Sequence, residues 1–527
     1  MSQEIAEEDS KKVRVKLAKT YGCAVHGIKA TLVTVETNIA SGVNLFIVGL
    51  PDSAVKESQH RIGAALKNIG HKIPGKGVTI NMAPADIKKE GSSYDLTMAI
   101  GILAADEKIK NTNLGDYIIM GELSLDGELR PIKGVLPIAI EAKEKGFKGM
   151  ILPKQNAQEA AAVGELKVYG VENIKDVIGF FNEEISLDPT IINISEEFYS
   201  RLGKSELDFA DVKGQENIKR ALEIAAAGGH NIIMIGPPGA GKTMIAKRLP
   251  TILPPLTLEE SLETTKIHSV AGKMGKGTSL VTSRPFRSPH HTISDVALVG
   301  GGSFPQPGEI SLAHHGVLFL DELPEFSRNV LEVMRQPLED RVVTISRAKF
   351  SVEYPASFML VSAMNPCPCG YYNHPEKDCV CAPGIVQKYL NKISGPLLDR
   401  IDIHVEVTPV AFSELSSERK AEASEKIRER VISAREIQSK RFEKNAGVYS
   451  NAQMSANLLR SLCKIDEAGQ LLLKNAMEKL GLSARAYDRI LKVARTIADL
   501  DPSDAIQNQH LAEAIQYRSL DRDNWGG

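Results

Sequence analysis

Charge of either sign is not in excess in this 527-residue chain, because 64 lysine and arginine residues balance 66 aspartate and glutamate residues and leave a formal net charge of −2. Overall charge therefore gives no indication of a nucleic-acid partner, and any such contact has to come from local basic patches. The sequence also lacks an apolar run approaching the roughly 18 residues that a membrane span needs. Its first residues, MSQEIAEEDSKK, are acidic and polar, unlike a secretory signal. We expect a cytoplasmic protein with no membrane contact.

Cysteine is scarce, with six residues in the chain. Four of them crowd into the run CPCGYYNHPEKDCVC: Cys367, Cys369, Cys379 and Cys381. In a reducing compartment, such crowding indicates a metal site rather than disulfides. Four thiolates satisfy tetrahedral zinc, and the alternative is a set of reduced structural thiols; the spacing leaves both open. Either way the site is structural, because no ligand set with an open coordination position is evident.

A glycine-rich turn follows an apolar run of strand character and precedes a segment of helical composition in NIIMIGPPGAGKTMIAK, residues 231–247. This is the pattern G-x-x-x-x-G-K-T in a strand-loop-helix setting. Its glycines let backbone N–H groups point at phosphate, Lys242 would reach the β and γ phosphates, and the Thr243 hydroxyl would bind Mg²⁺. The sequence therefore predicts a site for ATP and Mg²⁺ that comprises Gly236, Pro237, Pro238, Gly239, Ala240, Gly241, Lys242, Thr243 and Met244.

A second motif is GVLFLDELPEF, residues 316–326, in which an apolar strand ends in two acidic residues. At the end of a strand beside the phosphate loop, Asp321 would hold Mg²⁺ through water and Glu322 would orient the attacking water. An apolar strand that ends in Asp-Glu is common by itself. Behind a complete phosphate loop, it predicts ATP hydrolysis.

The N-terminal half has no nucleotide signature and mixes strand and helix patterns. Its segments KKEGSSYDLTMAIGILAA (residues 88–105) and MGELSLDGELRPIKGVLPIAIEAKEKGFKGMILPKQN (residues 120–156) resemble the proteolytic domain of Lon-type proteases, which use a serine and a lysine. Ser93 falls at the position of the serine, but Leu136 occupies that of the lysine. A serine hydroxyl needs a neighbouring base to become a nucleophile, and Lys133 lies at an offset that would point it elsewhere. The resemblance therefore implies a scaffold or a partner-binding platform, with proteolysis as the disfavoured alternative.

Residues 208–229 resemble the entry segment of AAA+ ATPases, and three further positions resemble residues of that class. Asn365 ends the strand in SFMLVSAMNP and resembles the sensor-1 residue. Arg400, in SGPLLDRIDIHVEV, resembles the arginine finger that one subunit inserts into the site of its neighbour. Arg485, in LSARAYDRILKVARTIADL, resembles the sensor-2 arginine, with Arg489 as a substitute one helical turn on. Such arginines stabilise charge on the γ-phosphoryl oxygens, and the alternative for each is a surface salt bridge.

The words SVAGKMGKGTSLVTSRPFRSPHHTISDVALVGGG and PGEISLAHHG match the magnesium-chelatase-like branch of AAA+ proteins. Together with the Lon-like half, they identify the chain as a member of the YifB/ComM family over nearly its whole length. The resemblance implies a hexameric ATPase ring that acts on single-stranded or branched DNA, as a branch-migration helicase of natural transformation, with recombination proteins as further partners. The alternative is a magnesium-chelatase-like motor that remodels a protein or metal-insertion partner, which the Lon-like half opposes because chelatase motors lack it.

The DNA function requires a basic surface, and residues 264–294 carry five basic side chains and no acidic one. Such a stretch is either a basic loop in the pore of a ring, where it faces phosphates, or a solvated insertion. We favour the pore, because a stretch without carboxylates is unusual in so balanced a chain. The predicted DNA contacts are Lys273, Lys276, Arg284 and Arg287. For the two arginines, the alternative is to buttress the adjacent ATP site.

The length exceeds what one hydrophobic core supports, and the expected fold class is α/β with several domains. We expect a flexible N-terminus at residues 1–13, followed by a Lon-protease-like α+β domain at 14–181. A linker at 182–207 leads to an AAA+ core at 208–410, in which a P-loop parallel sheet carries the basic insertion and the cysteines. A helical lid at 411–520 and a tail at 521–527 complete the chain.

Overall fold

The computed structural model describes residues 16–110, 113–194, 196, 198, 206–275, 277–302, 305–347, 350–372, 374, 376–382, 384–410, 421–445 and 447–518. The expected N-terminal segment 1–13, the tail 521–527 and Lys276 lie outside these ranges, as does part of the expected linker. The described residues form two compact units. The first lies within Met1–Ser200 and Thr265–Val281, and the second within Arg201–Thr264 and Thr282–Gly527.

The first unit alternates strands and helices. Its strands are β1 (Lys16–His26), β2 (Lys29–Ala40), β3 (Leu45–Val48), β4 (Gly77–Ala83), β5 (Tyr117–Ile119), β6 (Glu122–Leu123), β7 (Leu129–Arg130), β8 (Gly149–Pro153) and β9 (Lys167–Val171). Its helices are α1 (Ser53–Asn68), α2 (Asp95–Ala105), α3 (Val135–Glu144), α4 (Ala157–Ala161) and α5 (Ile174–Phe181). Short 3-10 turns lie at Leu114–Asp116 and Lys154–Asn156.

Within the described part of this unit, seven strands form one mixed sheet in the order β3-β4-β2-β1-β5-β8-β9. The long strands β1 and β2 are antiparallel neighbours, and β5, β8 and β9 continue the sheet in parallel. Helix α2 is buried along its whole length, as expected for a helix that is apolar on all sides. It packs closely on β1 and β2, since a Cβ atom at Gly101 would lie 2.6 Å from Thr37 Oγ1.

The second unit contains the phosphate-loop segment. Its strands are β10 (Ile232–Ile235), β11 (Phe286–Arg287), β12 (Gly300–Gly301), β13 (Gln306–Pro307), β14 (Val317–Leu320), β15 (Val342–Arg347), β16 (Phe350–Pro355), β17 (Met359–Met364) and β18 (Ile403–Glu406). Its helices up to β18 are α6 (Glu216–Gly228), α7 (Lys242–Arg248), α8 (Leu258–Val270), α9 (Asp295–Val299), α10 (Glu309–Leu312), α11 (Arg328–Val333), α12 (Arg335–Asp340), α13 (Ile385–Leu390) and α14 (Gly395–Leu398). The last residues of α8 belong to the first unit.

Five of these strands, counted among the described residues, form a parallel sheet in the order β11-β14-β17-β10-β18. Strands β10, β14 and β17 are buried along their whole length. Their apolar, often β-branched residues suit a sheet that is covered on both faces. Because the strands are parallel, the segments that leave β10, β14 and β17 meet at one edge of the sheet. The expected parallel P-loop sheet is confirmed.

The C-terminal region is helical, as the sequence predicts. It contains α15 (Ser424–Phe442), α16 (Ala456–Leu462), α17 (Glu467–Leu480), α18 (Ala484–Leu500) and α19 (Asn508–Gln516). Side chains of Asp466 and Ser483 cap α17 and α18 at their N-termini, and Gly481 ends α17 in the left-handed conformation. These helices share one hydrophobic core with the parallel sheet. Within the described ranges, no helix has the length and apolar character needed to cross a membrane.

Candidate functional site

The phosphate loop lies between β10 and α7. Gly239 and Gly241 have φ angles of +79° and +84°, a region that favours glycine. The space beside the Gly239 Cα is open, because a Cβ there would meet no atom within 4 Å. Helix α7 begins at Lys242 without a side-chain cap, so its first N–H groups are free to receive an anion. The loop therefore fits the phosphate chain of a nucleotide.

Lys242 is the cation of this loop, and its ammonium is held by the loop itself. Its Nζ donates to the carbonyl oxygens of Gly236 and Pro237 at 2.6 and 2.9 Å and to Asn365 Oδ1 at 3.1 Å. Burial lowers the pKa of Lys242, and the nearby Asp321 and Glu322 oppose that effect. The structure thus brings the predicted sensor-1 residue into direct contact with the phosphate-loop lysine.

The two acidic residues that follow β14 lie beside the loop. Thr243 Oγ1 donates to Asp321 Oδ2 at 2.6 Å, which places both expected Mg²⁺-binding oxygens side by side. Glu322 has a left-handed backbone with φ of 53°, and its side chain is exposed. The Glu322 carboxylate is therefore accessible to water.

Two side chains at the site were not found by the sequence analysis. His291 Nδ1 lies 3.4 Å from Glu322 Oε2, and its ring contacts that of His290 at a centroid distance of 4.1 Å, with the two ring planes tilted by 34°. Gln215 Nε2 donates to the carbonyl oxygen of Ala240 at 2.9 Å and so braces the phosphate loop. The adjacent histidines within a basic, glycine-rich stretch were a signal for the first residue. Gln215 gave no signal, because a lone glutamine has no characteristic spacing.

Arg400, the predicted arginine finger, lies in the loop before β18 and is bound within its own subunit. Its Nη2 lies 2.6 Å from Glu339 Oε1, and its Nη1 donates to the Pro396 carbonyl oxygen at 2.6 Å. Its side chain is only 8% exposed. To reach a nucleotide on a neighbouring subunit, Arg400 has to leave Glu339.

The two arginines predicted for sensor 2 differ in their surroundings. Arg489 Nη1 lies 2.9 Å from Oδ1 of the buried Asp402, whose other oxygen accepts from the Asn231 N–H at 3.0 Å. Burial would raise the pKa of Asp402, but Arg489 and His230 hold it well below its usual value. Arg489 is therefore a brace at the start of β10. Arg485 is 60% exposed and lies 3.5 Å from Asp399 Oδ2, so it keeps the freedom that a sensor needs.

The four predicted DNA contacts separate in the structure. The Arg284 guanidinium is bound by other residues of the protein. It donates to the carbonyl oxygens of Pro254 and His315 and pairs with Glu260 at 3.0 Å. Arg287 forms a bidentate salt bridge with Glu309, with nitrogen–oxygen distances of 2.6 and 2.7 Å. Both arginines are thus paired with carboxylates of the protein itself. Lys273 is exposed within Thr265–Val281, on the first unit, and Lys276 lies outside the described residues.

Glu263, His314 and His315 form a cluster whose ligand atoms lie within 4.8 Å of one another. Glu263 Oε2 lies 3.4 Å from His314 Nε2 and 2.9 Å from His315 Nε2. The Ser357 N–H donates to His314 Nδ1 at 3.0 Å, so the neutral ring carries its proton on Nε2 and has no lone pair there for a metal ion. We interpret the cluster as a hydrogen-bonded brace between α8 and the turn before β14.

The His314 brace makes the stability of the chain sensitive to acid. Burial lowers the pKa of His314 to about 4. Between pH 6.5 and 4, His314 is protonated in the unfolded chain but stays neutral in the folded chain. The free energy of unfolding therefore falls as the pH falls. We expect a loss of about 2 kcal/mol between pH 7.5 and 5, measured by urea denaturation. His314→Asn should flatten this dependence and the exposed His60→Gln should not; an unchanged dependence in His314→Asn would contradict the assignment.

The four clustered cysteines are free thiols that converge on one point. Their Sγ atoms lie 3.2 Å (Cys367 to Cys369), 3.7 Å (Cys367 to Cys379) and 3.6 Å (Cys369 to Cys379) apart, and Cys381 completes the group. In a tetrahedral zinc site with Zn–S bonds of about 2.3 Å, the sulfur atoms lie about 3.8 Å apart. The thiols therefore already have nearly the spacing that zinc requires.

The Lon-like site of the first unit has no general base at the lysine position. Leu136 is fully buried at the start of α3, and its N–H donates to Glu159 Oε1 at 3.0 Å and to Ser269 Oγ at 3.4 Å. Ser269 also donates to Glu159, a buried carboxyl group whose pKa burial raises. Lys133 packs instead against Gly272, where a Cβ would lie 2.8 Å from its Cε. Part of Thr265–Val281 thus covers the place where a protease would hold its base.

Comparison with protein families agrees with this architecture. Profiles described as "Subunit ChlI of Mg-chelatase", "Magnesium chelatase, subunit ChlI" and "Magnesium chelatase, subunit ChlI C-terminal" match residues 35–156, 208–415 and 421–518. Together with the phosphate loop, Asp321 and Asn365, these matches define a magnesium-chelatase-like AAA+ ATPase. The first match lies within the N-terminal unit.

Individual relatives narrow the class. The chain is 44% identical over 519 residues to "Competence protein ComM" of Haemophilus influenzae, which covers 96% of this chain and 98% of that protein. It is 44% identical over 507 residues to the uncharacterized protein YifB of Escherichia coli, with 95% and 96% covered. The chain therefore belongs to the YifB/ComM family. Its N-terminal part is also similar to Lon protease 2 of Bacillus subtilis, with 31% identity over an alignment of 189 residues that covers 32% of this chain and 33% of that protein.

Proposed function

We propose that this ATPase is a ring-shaped motor that uses ATP hydrolysis to move or remodel DNA. The observation that carries the proposal is the convergence of the Lys242 ammonium, the Thr243–Asp321 oxygen pair and Asn365 at one edge of the parallel sheet. The similarity to a competence protein over nearly the whole chain supports DNA as the substrate of the motor.

The residues of the site divide the work of hydrolysis among them. The phosphate-loop N–H groups and Lys242 would hold the phosphates, and the oxygens of Thr243 and Asp321 would hold Mg²⁺, which would supply positive charge beside the phosphoryl oxygens. Glu322 accepts a proton from the attacking water and directs it in line with the bond that breaks. Asn365, bonded to Lys242, reports whether a phosphate is present. The exposed Arg485 approaches the same phosphate from the helical region.

A complete site requires a second subunit in this proposal. Arg400 supplies the guanidinium that stabilises the charge of the transition state on the adjacent protomer. The 2.6 Å pair with Glu339 is then a resting position, which Arg400 leaves when the ring closes around nucleotide. A closed ring, which we propose to be a hexamer, satisfies this requirement for every subunit because each interface is the same head-to-tail contact.

The proposed DNA contact rests on the exposed part of the basic stretch. Lys273 is accessible, and Lys266 and Lys276 are near it in sequence, without a carboxylate between them. Contacts of this kind neutralise backbone phosphates and carry no sequence information, which suits a motor that moves along DNA. Because Arg284 and Arg287 hold protein carboxylates, we assign the contact to the lysines alone.

ATP turnover in the presence of DNA tests this function. We expect single-stranded or four-way-junction DNA to stimulate turnover several-fold and the protein to displace a strand from a branched substrate. Lys273→Ala should weaken DNA binding and reduce the slope of log affinity against log salt by about 1, since one phosphate contact is lost. Lys67→Ala, an exposed lysine at the end of α1, is the matched control and should bind normally. ATP turnover that DNA leaves unchanged would favour the chelatase-like motor instead.

We also propose a structural zinc ion at Cys367, Cys369, Cys379 and Cys381. The observed sulfur spacings of 3.2 to 3.7 Å support it. A bound metal also stabilises a loop that is too short to form a core of its own. Four thiolates leave no open coordination position, so the ion holds the loop and takes no part in bond breaking.

A further inference from the structure

The cysteine cluster continues directly from the strand that carries Asn365. Strand β17 ends at Met364, Asn365 bonds Lys242 at 3.1 Å, and Cys367 is the second residue after Asn365. Cys367 is fully buried. With so little chain between them, the position of the Cys367 thiol restricts the position of the Asn365 side chain.

A second contact joins the cluster to the phosphate loop. Gly370 is buried with φ of +84°, and its N–H donates to the Cys367 carbonyl oxygen at 3.0 Å. A Cβ atom at Gly370 would lie 2.4 Å from Pro238 Cδ. The turn from Cys367 to Gly370 therefore packs directly on the loop that receives phosphate, and a side chain at Gly370 would collide with Pro238.

The chain that follows the second pair of cysteines also contacts the strand end that carries Asn365. Cys379 and Cys381 precede α13, whose buried Tyr389 hydroxyl lies at the backbone of Asn365. The Met364 carbonyl oxygen accepts from the Gly236 N–H at 3.2 Å, which fixes the first glycine of the phosphate loop to the same strand end. The four thiols thus close a loop that contacts the nucleotide site at three places. These are Asn365 before the loop, the turn at Gly370 within it, and Tyr389 after it.

We propose that metal binding at the four thiols sets the geometry of the nucleotide site, so that the chain hydrolyses ATP only when the cluster holds zinc. In the described residues the two cysteine pairs meet through weak contacts of their thiols. Without the ion, Gly370 and Asn365 are held less firmly at their distances from Pro238 and Lys242. Displacements of about 1 Å in a reacting site lower rates by about 10²-fold. The proposal rests on the ATP hydrolysis and the zinc site assigned above, and adds that the second controls the first.

Variants separate the metal from the contact that it fixes. Cys379→Ser combined with Cys381→Ser should abolish the one zinc per chain found by elemental analysis and lower ATP turnover by about 10²-fold. Gly370→Ala keeps all four thiols and should keep the zinc, but its Cβ pushes on Pro238 and should weaken nucleotide binding at least tenfold. Cys463→Ala removes a buried thiol outside the cluster and should leave zinc content and turnover unchanged.

Removal of the ion from the wild-type chain tests the proposal without a substitution. A chelator that binds zinc but not Mg²⁺ should abolish ATP turnover, and added zinc should restore it. A chain that hydrolyses ATP at an unchanged rate after its zinc is removed, or that binds no zinc at all, overturns the proposal while the ATPase assignment stands. A zinc-loaded chain without ATP turnover, with or without DNA, would overturn the ATPase assignment itself.

Discussion

Glu322→Gln should lower the turnover number for ATP by about 10²- to 10⁴-fold, the range associated with loss of a general base, and leave nucleotide affinity nearly unchanged. The amide keeps the size of the side chain and can still contact His291, which lies 3.4 Å from Glu322. It cannot take a proton from water. Lys242, Thr243 and Asp321 remain in place to hold nucleotide and Mg²⁺. Single-turnover hydrolysis and the binding of a fluorescent ATP analogue measure the two effects separately.

Two comparisons make this result specific. Lys242→Ala should lose binding as well as hydrolysis, because the ammonium that reaches the phosphates is gone. Glu325→Gln makes the same chemical change three residues further on, at an exposed glutamate that pairs with Lys392 at 3.3 Å, and should behave as wild type. Normal turnover in Glu322→Gln would show that another group activates the water, and His291 would be the first to examine.

Arg400→Ala should hydrolyse ATP at least about 10³-fold more slowly than the wild type, because an arginine finger contributes a factor of this order. Its own pocket should still bind nucleotide. When Arg400→Ala subunits are mixed with Lys242→Ala subunits, activity should return in part. At some interfaces an intact phosphate loop then meets an intact guanidinium, although neither variant has a complete site alone. Turnover of each variant and of their equimolar mixture measures the effect.

The contact of Arg400 with Glu339 provides the control for this experiment. If the pair at 2.6 Å is only a resting position, Glu339→Gln frees the guanidinium and activity persists. If the pair instead braces the loop before β18, Glu339→Gln and Arg400→Ala lose activity together and mixing rescues neither. Arg335→Ala should leave turnover unchanged. This arginine of α12 pairs with Glu332 of α11 and has no place in the proposed mechanism.

The arrangement of the nucleotide site was accessible from the sequence because its parts are local. Lys242, Asp321 and Asn365 each follow an apolar run that reads as a buried strand, and parallel strands deliver their following residues to one edge of a sheet. The strand, turn and helix signals around them needed no distant contact. This is why the order of motifs along the chain also predicts which side chains meet.

The bracing contacts were not accessible, because each joins residues that are far apart in sequence. Arg284 reads as an exposed cation in a basic stretch, yet it is buried against carbonyl oxygens of two other segments and Glu260. Arg489 reads as a sensor, yet it neutralises a buried carboxylate at the start of β10. In both cases the identity of the residue predicts a charge-assisted contact, but the partner is set by the tertiary fold.

The first unit also contains contacts between distant residues that could not be predicted from the sequence. The replacement at Leu136 was visible in the sequence and made proteolysis the disfavoured alternative. No local pattern indicated that Ser269, more than a hundred residues later, would bond the N–H of Leu136 and the buried Glu159. Thr265–Val281 was expected in the motor because its residues are contiguous with it, but its contacts place it in the first unit.

The central claim is that hydrolysis requires two protomers, and the dependence of turnover on assembly tests it most directly. Particle mass and ATP turnover should be measured on the same wild-type samples, with ATP and Mg²⁺ present, over a dilution series. The account predicts that turnover per chain rises in step with the fraction of chains in rings and vanishes for single protomers. A chain that remains a single protomer throughout and hydrolyses ATP at a constant rate per chain would contradict it.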